Sequence, residues 1–187
     1  MVRLITCFIL VFLLQSCFCI SKVKNTEFGY VRKKEVDKYN FDAKLFQKLD
    51  TFSLYEELLY YKYYEKTFER DQRNGKTFLR FYNNGKFSYF PRIGYDSKQL
   101  KLISNYRLTR NDFNPLKSLQ GYYYNNHNEL FAKTIVRGDG CRAQKNIKNL
   151  TVKGDTIILS SKKDKIKKYY VKRRTDKELL AGWKPDW

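Results

Sequence analysis

Histidine is almost absent from this chain, and the motifs that usually accompany catalysis are missing with it. The 187 residues contain one histidine, three prolines and four cysteines. A metal centre built from several histidines is therefore excluded, and any catalytic histidine would have to be His127. This residue sits among asparagines in a predicted turn, where we expect it to be exposed. The sequence also has no G-x-S-x-G elbow and no glycine-rich phosphate loop.

The other reactive residue types do not assemble into a site either. Glu56 and Glu57 are adjacent, but neighbours on a strand point to opposite faces, so we do not expect a glycosidase pair. The cysteines have no C-x-x-C spacing. Cys19 and Cys141 could pair in an oxidising compartment, although we favour two unpaired thiols. The sequence therefore predicts a protein that is not an enzyme, with no catalytic residue, metal site or cofactor.

The N-terminus has the pattern of an export signal. Arg3 provides a short charged region, and residues 4–14 form an apolar run that is too short to cross a bilayer. The run ends in Leu14-Gln15-Ser16-Cys17, which looks like the lipobox of a bacterial lipoprotein. We predict a lipoprotein signal peptide at residues 1–16, lipidation at Cys17, and a membrane-anchored location in the cell envelope, facing the periplasm or the cell surface. The alternative is an ordinary signal peptide and a secreted soluble protein.

Composition changes along the rest of the chain. Residues 17–40 are polar and charged, and are interpreted as a tether between the membrane and the folded body. Residues 41–187 are predicted to form a single β-rich domain. The chain has 16 tyrosines and 14 phenylalanines, and such aromatic residues favour strands.

Positive charge is the other marked excess. The formal net charge is +19, and residues 133–174 contain 14 basic and 3 acidic residues. A surface of this kind attracts anions. We expect membrane attachment through the lipid anchor and contact with anionic lipid or glycan, whereas export argues against nucleic acid; the alternative is a solvated face. The candidate anion-contacting residues are Lys162, Lys163, Lys165, Lys167, Lys168, Lys172, Arg173 and Arg174.

The clearest hairpin signal is Asn84-Gly85, which lies between the apolar segments 77–82 and 87–90. Asn-Gly favours a two-residue type I′ turn, because both positions adopt positive φ. This turn would place Tyr82 directly opposite Phe87.

Short strands separated by turn residues recur towards the C-terminus. We predict strands at 121–124, 129–136, 147–152, 156–159 and 167–172, while residues 54–61 suit either a helical turn or a strand. This spacing predicts a mainly all-β fold, an antiparallel meander that forms a barrel or a sandwich, preceded by a short helical or irregular segment.

Several motifs resemble those of small Bacteroidota lipoproteins, a largely uncharacterised group. They are the hairpin FLRFYNNGK at 78–86, DFNP at 112–115 followed by GYY at 121–123, GDTI at 154–157, and WKPDW at 183–187. The resemblance covers residues 50–187 and implies a lipocalin-like β-barrel. It implies no catalytic residues.

These features predict a lipid-anchored cell-envelope protein of non-catalytic binding or structural role. The alternative is a carrier of a small ligand, a lipid or a glycan, in an aromatic-lined barrel cavity. We expect the aromatic residues mainly to pack in the core and across strands. Consecutive tyrosines are also compatible with the carrier, since neighbours on a strand face opposite sides and some must point to solvent or to a cavity. The runs concerned are Tyr60-Tyr61 with Tyr63-Tyr64, and Tyr122-Tyr123-Tyr124.

Overall fold

Twelve strands account for most of the computed structural model, which describes residues 23–26, 29–32, 47–62, 75–96, 98–99, 101–137, 143–161, 163–174 and 177–184. The strands are β1 Val23–Thr26, β2 Gly29–Arg32, β3 Leu54–Lys62, β4 Lys76–Phe81, β5 Lys86–Ile93, β6 Tyr95–Asp96, β7 Lys101–Leu102, β8 Leu119–Asn126, β9 Glu129–Arg137, β10 Ala143–Lys153, β11 Thr156–Ser161 and β12 Ile166–Arg173. Two 3₁₀ helices, Arg110–Phe113 and Pro115–Lys117, precede β8, and a short helix α1, Lys177–Leu180, follows β12.

Eight of these strands close into one antiparallel barrel. Each pairs with its neighbours in the order β3, β4, β5, β8, β9, β10, β11 and β12, and β12 pairs back with β3. The prediction of a mainly β, antiparallel meander is confirmed, and the barrel is formed rather than the sandwich.

The predicted strands in the second half of the chain are confirmed, each with a longer extent. The difference is largest for β8, with eight residues where four were predicted, and for β10, with eleven where six were predicted. The ambiguous segment 54–61 lies in strand β3. Residues 94–118, which connect β5 to β8, leave the barrel and contain the short pair β6–β7 and the two 3₁₀ helices.

The predicted register of the β4–β5 hairpin is wrong by one residue. Phe81, not Tyr82, lies opposite Phe87, and the backbone N–H of Tyr82 donates to the carbonyl of Lys86 at 2.9 Å. The loop therefore has three residues and ends at Gly85, whose φ of 75° suits the left-handed position of a three-residue loop. The one-residue shift exchanges the two faces of the hairpin, so Phe81 points into the barrel and Tyr82 points out of it.

A second apolar layer covers the outer face of β3, β4 and β5. Phe113, from the first 3₁₀ helix, packs edge-on against Phe78 and Phe90, with ring centroids 5.6 and 5.5 Å apart. Leu54 and Leu180 complete this buried cluster. Helix α1 and the 94–118 connection are therefore held to the barrel wall by apolar burial.

The β1–β2 hairpin lies within residues 17–40, where the sequence predicts a tether. Its strands pair antiparallel, and β2 lies against β8 and β9. The predictions for the signal peptide 1–16, for Cys17, Cys19 and Cys141, and for most of the segment ahead of β3 concern residues outside the described ranges.

Candidate functional site

One half of the barrel interior is a packed apolar core. We call this the lower half; it adjoins the turns at 82–85, 127–128 and 154–155. The ring of Phe81 lies 5.7, 5.8 and 5.4 Å from the rings of Tyr55, Phe87 and Tyr123. Leu49, which precedes β3, is buried in the same core, so the chain itself fills the lower end. The other buried residues of this half are Leu79, Leu130, Ala132, Leu150, Ile157, Leu159 and Tyr170.

The opposite half, which we call the upper half, is polar and partly open to solvent. The strand register assigns its inward-facing residues, because residues directly opposite each other share a face. The following inward-facing residues are each intermediate in exposure, whereas the residues of the lower-half core are buried: Glu57, Tyr60, Tyr89, Thr134, Val136, Asn146, Lys148 and Lys168.

The described pairing between β3 and β4 is short and lies towards the lower half. It joins Leu54, Tyr55 and Glu56 to β4. From Glu57 to Tyr60, β3 remains paired with β12, and the described part of β4 provides no partner for it.

A β-bulge brings two β3 side chains to this interior that simple alternation would separate. Glu57 lies opposite Tyr170 and Tyr60 lies opposite Lys168, with a shift in register between them. Leu58 is the additional residue on β3, and such an insertion re-aims the side chains beyond it. Glu57 and Tyr60, three positions apart, consequently face the same side.

Glu57 forms the centre of a hydrogen-bonded cluster in the upper half. The ammonium group of Lys168 donates to Glu57 Oε1 at 3.2 Å and to Oε2 at 3.1 Å, and the hydroxyl of Tyr170 donates to Oε2 at 2.9 Å. The side chains of Lys168 and Glu57 keep only 15% and 14% of their exposure. This ion pair is therefore mostly removed from water, where breaking it is more costly than at the surface.

Two tyrosine rings flank the same ammonium group. Lys168 Nζ lies 5.1 Å from the ring centroid of Tyr60 and 5.7 Å from that of Tyr89. Burial lowers the pKa of Lys168, but the interactions with Tyr89 and Glu57 outweigh it, and the net shift is upward. Burial also raises the pKa of the Tyr170 hydroxyl well above its usual value, and Tyr89 and Glu57 add to the rise.

Lys148 is the second cation of the upper half. It lies on the inner face of β10, opposite Ala132. Burial lowers its pKa and repulsion from Lys168 lowers it further, while Glu57 and Asp164 oppose the shift. Within the described part of the chain, Lys148 forms no hydrogen bond or ion pair.

No grouping of the described residues suggests a metal site. No three His, Cys, Asp or Glu side chains among them could hold a metal ion together. Glu56 and Glu57 face opposite sides of β3, as predicted: Glu56 bonds to Arg173 and Glu57 to Lys168.

Comparison with protein-family models, curated proteins and solved structures found no significant match. In the described ranges, no helix is long and apolar enough to cross a membrane. His127 lies exposed in the β8–β9 turn with a φ of 48°.

The predicted anion-contacting residues are not on one surface. Lys168 is inside the upper half, as described above. Lys172 pairs with Asp50 at 2.8 Å at the lower end, and Arg173 pairs with Glu56 on the outside. Lys167 lies outward beside the ring of Tyr169.

The remaining candidates are separated along the barrel. Lys163 and Lys165 are exposed before β12 at the upper end, and Arg174 is exposed after β12 at the lower end. Because β12 rises about 3.3 Å per residue, roughly 25 Å separates the two ends. Lys162 is outside the described residues. The predicted anion-contacting residues, which are close together in the sequence, thus lie at both ends of the barrel, inside it and outside it.

A second buried polar cluster lies on the outer wall beneath α1. Arg80, Ser88 and Gln120 form one row across β4, β5 and β8. Arg80 Nη2 donates to the Leu180 carbonyl at 3.1 Å, and its guanidinium lies 4.9 Å from the ring centroid of Tyr82. This row connects α1 to the barrel.

The lower end also has a shallow cleft of about 260 Å³. This volume is slightly below the usual range of ligand pockets, which begins at about 300 Å³. Its lining is Lys48, Asn128, Glu129, Leu130, Asn149, Leu150, Thr151 and Val152. The upper half, with its converging charges and tyrosines, is the stronger candidate site.

Proposed function

We propose that this protein is a lipid-anchored, non-catalytic binding protein of the cell envelope that takes a small ligand into the upper half of its barrel. The observation that supports this proposal is the contrast within the barrel: a packed lower half beneath an accessible upper half that is lined by tyrosines and charged groups. The mouths of β-barrels are common sites for small ligands.

The chemistry of the upper half favours binding over catalysis. Both carboxylate oxygens of Glu57 already accept hydrogen bonds, from Lys168 and Tyr170. A general base needs to reach a substrate proton, and Glu57 is occupied by its own neighbours. Tyr60 and Tyr89, in contrast, offer ring faces that can pack against an apolar or sugar ligand.

A fluorescent naphthalene probe tests whether the upper half binds ligands. The full chain carrying Cys17→Ala, which we expect to be soluble, is titrated with the neutral probe naphthylethanol. We expect saturable binding that Tyr60→Ala and Tyr89→Ala each weaken by at least about fivefold, or about 1 kcal/mol.

The matched control is Tyr169→Ala, which removes an outward-facing tyrosine from β12. It should leave the affinity unchanged. Lack of saturable binding of naphthyl probes, neutral or acidic, would overturn the proposed ligand site, as would equal losses in the inward and outward variants.

Membrane attachment is a separate part of the proposal, and it rests on Leu14-Gln15-Ser16-Cys17. Each buried methylene of an attached acyl chain contributes about 0.8 kcal/mol to membrane binding, and more than one chain gives stable anchoring. Cys17→Ala should move the protein from the membrane fraction to the soluble fraction, while Cys19→Ala should not. Persistence of Cys17→Ala in the membrane fraction would exclude anchoring through this residue.

A further inference from the structure

Lys148 differs from Lys168 and Glu57, the other inward-facing charged residues of the upper half whose side chains are described. Lys168 and Glu57 form an ion pair, in which the ammonium nitrogen lies 3.2 and 3.1 Å from the two carboxylate oxygens. Lys148 shares their compartment but has no ion-paired or hydrogen-bonded neighbour among the described residues. Among the described side chains, the interior of the upper half therefore has two ammonium groups and one carboxylate.

Asp164, the acidic residue described at the rim, does not form an ion pair with Lys148. Asp164 lies in the exposed turn between β11 and β12, where Ser161 Oγ donates to its Oδ2 at 2.8 Å. It attracts Lys148 only through space, without an ion pair. Counted over the described side chains, the interior of the upper half thus has a surplus of one positive charge.

This surplus disfavours the empty protein. A partly buried ammonium group loses hydration, and the positive charge of Lys168 repels it. The lowered pKa of Lys148 has the same two causes. A residue whose charge opposes folding is typical of a binding site, where the cost is recovered when a ligand supplies the opposite charge.

We propose that the ligand of this barrel is a small organic acid, whose oxyanion accepts hydrogen bonds from the Lys148 ammonium group while its apolar part contacts the rings of Tyr60 and Tyr89. This inference rests on the proposed function and specifies the class of ligand. The oxyanion is a carboxylate or a phosphate monoester, both of which suit an ammonium donor.

Probes that share one ring but differ in charge test the inference. In the full chain with Cys17→Ala, naphthylacetate and naphthyl phosphate are compared with the neutral naphthylethanol by fluorescence titration. We expect at least one acid to bind about tenfold more tightly than the alcohol, which corresponds to about 1.4 kcal/mol. The acid that gains more identifies the preferred oxyanion.

The decisive variant is Lys148→Met, which keeps the length and apolar stem of the side chain. It should abolish the preference for the acid and leave the affinity for the alcohol within about twofold, because only the charged contact is lost. Lys148→Arg should retain the preference. Lys145→Met, an outward-facing lysine on the same strand, is the control and should also retain it.

The outcomes separate this inference from the function on which it rests. Binding of the alcohol without any preference for an acid, or a preference that survives Lys148→Met, would overturn the inference and leave a binding protein for neutral ligands. If no naphthyl probe binds, the proposed function itself fails. Thermal unfolding of each variant verifies that the lost preference does not come from a lost fold.

Discussion

The same eight strands line both halves of the barrel interior, yet the two halves differ in chemistry. In the lower half, the rings of Tyr55 and Tyr123 pack edge to face against Phe81, the ring of Phe87 packs at a tilt, and all four side chains are buried. In the upper half, Glu57, Tyr60, Tyr89 and Lys168 retain some exposure, and Glu57 forms an ion pair with Lys168. The lower half therefore stabilises the fold, and the upper half is where we propose that a ligand binds. The packed lower half thus supports the half of the barrel in which we propose the ligand site.

The largest effect should come from removing an aromatic ring of the lower half. Phe81→Ala leaves a cavity among three aromatic rings, and we expect it to lower the free energy of unfolding by about 4 kcal/mol. Tyr60→Ala in the upper half should lower it by about 1 kcal/mol, because solvent already reaches this side chain. Urea unfolding measures both, and similar losses would contradict the division of the barrel.

Close packing in the lower half should also make Gly121 intolerant of a side chain. A Cβ at this position would lie 2.5 Å from Phe87 Cε1 and 2.6 Å from the carbonyl oxygen of Lys133. We expect Gly121→Ala to cost about 2–3 kcal/mol through overpacking. In the control Gly154→Ala no atom lies within 4 Å of the new Cβ, so only the cost of its positive φ, about 1 kcal/mol, should appear.

The ionic cluster of the upper half should show an intermediate effect. Lys168→Met leaves Glu57 without its cation in a site that is mostly removed from water. We expect a loss of about 2 kcal/mol in the free energy of unfolding. Lys167→Met, which changes the outward neighbour on the same strand, should stay within about 0.5 kcal/mol. Equal losses in chemical denaturation would argue against an important Glu57–Lys168 pair.

The smallest expected effect is an increase in the free energy of unfolding, in contrast to the losses described above. Lys148→Met removes a partly buried cation that has no ion-pair partner in the described chain, and it should raise the free energy of unfolding by about 0.5–1 kcal/mol at neutral pH. Folding lowers the pKa of Lys148, so the folded state disfavours the protonated side chain. The resulting loss of folding free energy is fully present at pH values below the folded pKa. It disappears as pH rises towards the unfolded value of 10.5.

The advantage of methionine should therefore shrink between neutral pH and pH 10.5, as thermal unfolding at several pH values can show. A destabilised Lys148→Met variant would mean that Lys148 supports the fold as Lys168 does. The distinction between the two lysines would then be lost.

The strands of the second half of the barrel were predictable from local patterns. Asn, Gly and Asp residues separate short β-branched and aromatic segments, and turn chemistry is local. The opposite faces of Glu56 and Glu57 were predictable for the same reason. The predicted register of the β4–β5 hairpin failed because Asn84-Gly85 is compatible with both a two-residue and a three-residue loop. Burial of Phe81 favours the three-residue loop.

The candidate site was much less accessible to prediction. The basic residues near the C-terminus pointed to a charged surface, but alternation along β12 sends Lys168 inward and Lys167 outward. The bulge at Leu58, which places Glu57 and Tyr60 on one face, leaves no clear mark in the sequence. Lys148 had no distinguishing local signal, since its unusual feature is the lack of a partner in space.

Local sequence thus specified the strands and most of the turns, because these depend on neighbours a few positions apart. The scarcity of catalytic residue types follows from the composition alone. Tertiary structure decided which face of each strand points inward and which charges meet. Those outcomes depend on barrel closure between β12 and β3 and on pairs more than a hundred residues apart, such as Glu57 and Lys168. A one-residue slip exchanges the two faces of a strand, so only the complete set of pairings places Lys148 and Lys168 inside the barrel.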